Sequence, residues 1–173
     1  MTKIANFEFT TKLDRFNSNI WHFHFVVPAK TAKKFIDGNN RRVICTLNQT
    51  ETFHAGLMHL GDGNFFINVN KKLRDKLKIK DGDEVHVSLQ KDETEYGLPV
   101  PEELLELLKM DEEGNQLFHA LTIGKQRTML HYIGIPKNMD LRIRRAICVV
   151  EHLKSHQGKI VYKELMDAVK NSR

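Results

Sequence analysis

The chain has 173 residues, 40% of them hydrophobic and 28% charged, so it can bury a proper core and is not the composition of a disordered protein. No apolar run approaches the ~20 residues that span a bilayer, and the first sixteen residues carry charges where a signal peptide needs an apolar core, so a cytoplasmic chain is expected. The formal net charge is +5, which permits contact with anions or nucleic acid without demanding it.

The first half has the rhythm of strands. Phe7 to Leu13 alternates, and Trp21 to Val27 is β-rich and ends at Pro28, which cannot donate to a ladder. Residues 29–36 suit a short helix closed by the turn Asp37-Gly38-Asn39-Asn40. Strands are expected at 42–47, 52–58 and 65–69, with the tight turn Gly61-Asp62-Gly63-Asn64 before the last. Asn70 can cap a short helix over 71–77, and Asp81-Gly82-Asp83 turns the chain into a cleanly alternating strand at 84–89. Many short strands with turn punctuation spell a small barrel.

The rhythm changes after Tyr96-Gly97-Leu98-Pro99-Val100-Pro101. Residues 102–109 place Leu104, Leu105 and Leu108 on one helical face, with acids in the first turn where the helix dipole favours them. Gly114 is expected to interrupt before a helix at 115–121. Further helices fall at 125–133, stopped near Pro136, at 140–155 with an apolar stripe of Ile143, Ile147, Val150 and Leu153, and at 162–169. Gly158 stops the longest of them. The fold class is therefore α+β, a small β-barrel over residues 1–94 followed by a helical module over 95–173. No internal repeat or low-complexity tract interrupts it.

Two stretches carry a family likeness. Ile67 to Leu89, with its short helix and Lys80-Asp81-Gly82-Asp83-Glu84-Val85 run, resembles the unit of AbrB/MazE-type swapped-hairpin and double-split barrels. Across nearly the whole length, Trp21-x-Phe-x-Phe-x-Val-Pro28, Arg41-Arg42-Val43, Tyr96 to Leu104 and Lys125-Gln126-Arg127 resemble a bacterial family. That family joins a double-split β-barrel domain of unknown function to a YdeI/OmpD-associated, or bacteriocin-protection-like, helical tail. The resemblance implies a barrel with a C-terminal helical region and a link to stress or antimicrobial-peptide tolerance, but no reaction. Relatives commonly carry an Ala-Lys pair followed by Glu-Thr-Arg, where this chain has Pro136-Lys137 and then Asp140-Leu141-Arg142.

Candidate site residues are cationic or aromatic. Arg41 and Arg42 open a strand and should point to opposite faces, which leaves a structural ion pair and an anion site both open. Residues 1–92 hold 15 Lys/Arg against 10 Asp/Glu, whereas the tail opposes an acidic block, Glu93 to Glu113, to a basic one, Lys125 to Arg145. Arg142 and Arg145 are neighbours on a helix and could grip a phosphate or carboxylate as paired forks, or pair with the acidic block. With Trp21, Arg127 and Lys137 they complete the candidate anion or ligand set.

His22 and His24 share a strand face but lack further metal ligands, so no metal is expected. No nucleophile elbow, phosphate loop or dinucleotide fingerprint occurs, and Cys45 and Cys148 fit buried free thiols, so neither cofactor nor catalytic residue is assigned. The expected function is a non-enzymatic binding protein. The alternatives are an AbrB-like nucleic-acid regulator, the less favoured because one chain is long enough to complete a barrel alone, and a small-anion or small-molecule binder using a cleft between barrel and tail. The partner is unknown, an anionic ligand or a protein being the two kinds considered.

Overall fold

The computed structural model describes residues 6–17 and 23–172. It divides into two compact units, one ending at Gly97 and the other beginning at Leu98.

The first unit holds β1 (Phe7–Arg15), β2 (Phe23–Val27), α1 (Ala29–Ala32), β3 (Arg42–Leu47), β4 (Glu51–Gly56), β5 (Met58–His59), β6 (Phe65–Asn68), α2 (Lys71–Leu77) and β7 (Glu84–Lys91). Its seven strands form one antiparallel sheet in the order β4-β3-β7-β1-β2-β6-β5. The stretch expected as a single strand over 52–58 breaks at Leu57. Its first half pairs with β3 and its second with β6, so the two edge strands of the sheet are consecutive in the chain. β1 is shared in the same way, pairing with β7 through Phe7 to Lys12 and with β2 through Leu13 to Arg15. The sheet curls into a half-barrel, and the α+β expectation holds.

Strand alternation fills the interior. Val43, Cys45 and Leu47 of β3 face inward beside Val85, Val87 and Leu89 of β7, joined by Leu13, Phe25, Val27 and Ile67, all essentially without solvent contact. Each such side chain contributes roughly 1.5–3 kcal/mol when taken out of water. Asn70 caps α2 as its sequence predicts, its Oδ1 accepting from the Leu73 N–H at 2.9 Å.

The second unit is α3 (Glu102–Met110), α4 (Glu112–Ala120), α5 (Ile123–Gly134), α6 (Met139–Ser155) and α7 (Tyr162–Asn171). α6 packs against each of the other four. Two expectations fail here. Gly114 does not interrupt a helix. It lies inside α4, capped by Asp111, because α4 crosses α6 so closely that a Cβ at 114 would sit 2.5 Å from Val150 Cγ1. The buried face of α6 is also rotated from the expected stripe. Val150 and Leu153 are buried, but with Ala146 and Val149, while Ile143 and Ile147 are 39% and 46% exposed. The small Ala146 occupies a contact position that hydrophobicity alone assigns to larger residues. Among the described residues, no helix is long and apolar enough to cross a membrane.

Candidate functional site

Splitting one strand between two sheet edges leaves a wedge where β4 draws away from β6. A cavity of about 240 Å³ occupies it, lined by Phe53 to Gly56 of β4, Met58, Ile67, Asn68, Asn70 and Arg42. That is slightly below the roughly 300–1,000 Å³ usual for small-molecule pockets.

Arg42 reaches the wedge from the first position of β3. It pairs across the ladder with Gly56, and its guanidinium Nη2 donates to the Gly97 carbonyl at 2.5 Å. Gly97 has φ +68°, and a Cβ there would lie 2.8 Å from Arg42 Nε, so glycine is what allows the arginine to lie flat against that turn. Arg41 is half-buried just before the strand, and its carbonyl accepts from the Leu57 N–H.

Beside Arg42 stands a histidine held by a buried acid. His54 Nδ1 lies 2.6 Å from Asp92 Oδ2, with the Asp92 side chain 0% and the His54 side chain 22% exposed. Asp92 follows β7, and its N–H donates to the Arg42 carbonyl, which brings together residues fifty positions apart. The backbone N–H and hydroxyl of Thr94 both donate to the other Asp92 oxygen, and the Thr94 hydroxyl in turn accepts from the Gly97 N–H. Burial alone raises the pKa of Asp92, but the hydrogen bonds from His54 and Thr94 outweigh it and hold the carboxyl below its usual range. The carboxylate therefore stays ionised, the bond at Nδ1 fixes the imidazole, and Nε2 is the ring nitrogen left for the cavity. The set thus offers a cation, an oriented imidazole and two side-chain amides above an apolar floor.

Neither His54 nor Asp92 stands out in the sequence. His54 sits in an alternating strand between Phe53 and Ala55, and Asp92 lies in an acidic linker, 38 residues from its partner. Their meeting depends on the β4–β3–β7 register, which no local motif encodes.

The cations of the tail have different surroundings. Arg142 Nε and Nη2 bind Glu103 at 2.8 and 2.7 Å, while its Nη1 donates to the carbonyls of Pro136 and Lys137. Arg145 lies over the Tyr132 ring and donates to the Tyr132 carbonyl. Arg127 is half-buried on α5 and Lys137 is exposed beyond its end. Lys154 pairs with Asp111 at 2.9 Å. Of the candidate residues, Arg42 alone lines the barrel cavity, and Trp21 lies outside the described residues.

His22 also lies outside the described residues, and His24 is buried, stacked on Phe16 at 3.7 Å. Among the described residues no group of three or more His, Cys, Asp or Glu is placed to hold a metal. Cys45 is buried, which pushes its thiol up to about 12, far from nucleophilic use. Cys148 is free but only half-buried, because it flanks the core face of α6 rather than lying on it.

Comparison with known families divides the chain at nearly the same place as the structure. Residues 9–89 match the model of a domain of unknown function, DUF1905. Residues 98–156 match the model described as bacteriocin-protection, YdeI or OmpD-associated. No curated protein and no solved structure matches. The AbrB/MazE likeness finds no support in these matches.

Proposed function

We propose that this chain, whose residues 98–156 match the bacteriocin-protection, YdeI or OmpD-associated family, is a binding protein whose first unit receives a small anionic ligand in the wedge between β4 and β6. The observation that carries this reading is the convergence of Arg42, His54, Asn68 and Asn70 on one cavity with Phe53, Met58 and Ile67. The Arg42 guanidinium suits a carboxylate or phosphate oxygen and the Asn68 and Asn70 amides add donors, while His54, whose Nδ1 proton is held by the Asp92 carboxylate, presents Nε2 as an acceptor for an N–H or O–H of the same ligand. The apolar wall suits a short hydrocarbon part on the same molecule. The role in bacteriocin protection is the family's, and ligand capture rather than chemistry is the activity assigned here.

The reading is tested by calorimetric titration with small carboxylates and with inorganic phosphate. At least one is expected to bind, with Arg42→Gln weakening it tenfold or more. Because Arg42 also holds the Gly97 turn, Asn68→Asp serves as a second variant: it places a negative charge at the cavity and should weaken the same anion. Unchanged affinity in both variants rules the wedge out as the binding site.

A nucleic-acid reading would draw on the basic surplus of residues 1–92. Several of those cations have acid partners, Lys71 with Asp75, Lys76 with Glu51 and Lys91 with Asp37, which lowers the charge available to a phosphate backbone.

A further inference from the structure

The edge of β4 carries more information than the cavity alone. The Leu57 N–H donates to the Arg41 carbonyl, and the β3–β4 register pairs Arg42 with Gly56 and Val43 with Ala55. Hydrogen-bonded and non-bonded pairs alternate along an antiparallel ladder, so the odd-numbered residues of β4 exchange bonds with β3. The N–H and C=O groups of Thr52, His54 and Gly56 therefore point away from β3. β4 ends the sheet on that side, and among the described residues these groups make no hydrogen bond. Two of the three residues, His54 and Gly56, line the cavity.

Helix α2 runs beside this open edge. Asn70, its cap, forms part of the cavity wall near Gly56, and Lys76 near its other end meets Glu51 at the start of β4, 2.7 Å away. A strand edge and a helix thus flank a groove that ends at the guanidinium of Arg42.

We propose that this groove binds the C-terminal segment of an extended peptide as an added strand. The terminal carboxylate lies at Arg42, the last side chain lies against Phe53, Met58 and Ile67, and the peptide backbone pairs with His54 and Gly56. The proposal rests on the anion-site reading above and names its ligand class. The two-residue spacing of the open donors and acceptors is that of an extended chain, and a lone small anion would leave them unused. A chain terminus supplies the anion where the groove closes, since β4 passes into β5 there and leaves no continuation of the edge. Backbone pairing provides affinity with little sequence preference, and the apolar wall selects the final residue.

The test titrates the full-length chain with acetylated heptapeptides ending in leucine as the free acid, with the same peptides as C-terminal amides, with versions N-methylated at alternate residues, and with acetyl-leucine alone. The free-acid heptapeptides are expected to bind at least tenfold more tightly than acetyl-leucine, the amides or the N-methylated forms. The backbone amides of His54 and Gly56 should slow their hydrogen exchange in that complex only. Acetyl-leucine binding as tightly as the heptapeptides, or N-methylation without effect, overturns strand addition while leaving the anion site intact. No binding of acetyl-leucine or the peptides, while inorganic phosphate still binds, overturns strand addition alone, and no binding of any of them overturns both readings.

Discussion

Both units carry arginines beside acids, yet they spend them differently. In the helical unit Arg142 gives its guanidinium to Glu103 and two backbone carbonyls, and Arg145 closes onto Tyr132, so the charge-rich segments of the sequence act as internal fasteners. In the barrel unit Arg42 of β3 and His54 of β4 line one cavity, and Asp92, just past the end of β7, backs His54 from the interior. Charge density along the chain marks the first arrangement and is blind to the second. Sparse polar residues that a sheet register gathers are the better sign of a site.

The sharpest way to break this contrast is Asp92→Ala. It strips three hydrogen bonds from a buried carboxylate and releases His54, so the barrel should lose about 3 kcal/mol in chemical denaturation. Anion binding should be lost with it. A stable variant that still binds would mean that the His54 orientation is irrelevant.

Gly114→Ala comes next and addresses the helical unit alone. A methyl 2.5 Å from Val150 Cγ1 forces α4 and α6 apart, at about 2 kcal/mol, and binding at the barrel should be untouched. A neutral result would show that the α4–α6 crossing can relax freely.

Acid should affect both units through buried neutral histidines. Burial lowers the pKa of His24, against an opposing pull from Asp14. Burial, and then His156, lower that of His152, against Glu164. His152 Nε2 accepts the Val161 N–H at 3.0 Å, a bond that protonation removes. Since the unfolded chain protonates these rings first, stability is full above about pH 6.5 and falls as the pH drops from there toward the lowered folded values. His24→Phe keeps the stack with Phe16 and Phe66 and should flatten the acid loss of the barrel while leaving that of the helical unit. Denaturation curves at pH 7 and pH 5, read separately for each unit, decide it.

The smallest effect is expected from Arg142→Ala: a modest drop in the melting temperature of the helical unit, with anion affinity unchanged. A loss of binding here would move the site to the tail and reverse the contrast.

Much of the architecture was legible because period and punctuation agree: the alternation at Glu84–Leu89, the Asn70 cap and the Pro/Gly joint each state one local rule. Errors arose where a tertiary contact overrode a local one. Gly114 reads as a breaker, but it is a close-packing residue under Val150, and Ala146 reads as neutral, but it holds a core position. Of the candidate site, Arg42 was visible as a charge opening a strand. His54, Asp92, Asn68 and Asn70 were not, because their significance comes from pairing across β3, β4, β6 and β7. The break at Leu57 that opens the wedge is equally silent, since Thr52 to Met58 keeps an extended rhythm through it.

The central claim is most directly tested by mapping amide shifts while the full chain is titrated with acetyl-leucine. Perturbations gathered on Arg42, Phe53 to Met58 and Ile67 to Asn70 are expected, with the α5–α6 region silent. Perturbations centred on Lys137 to Arg145 instead would contradict the account.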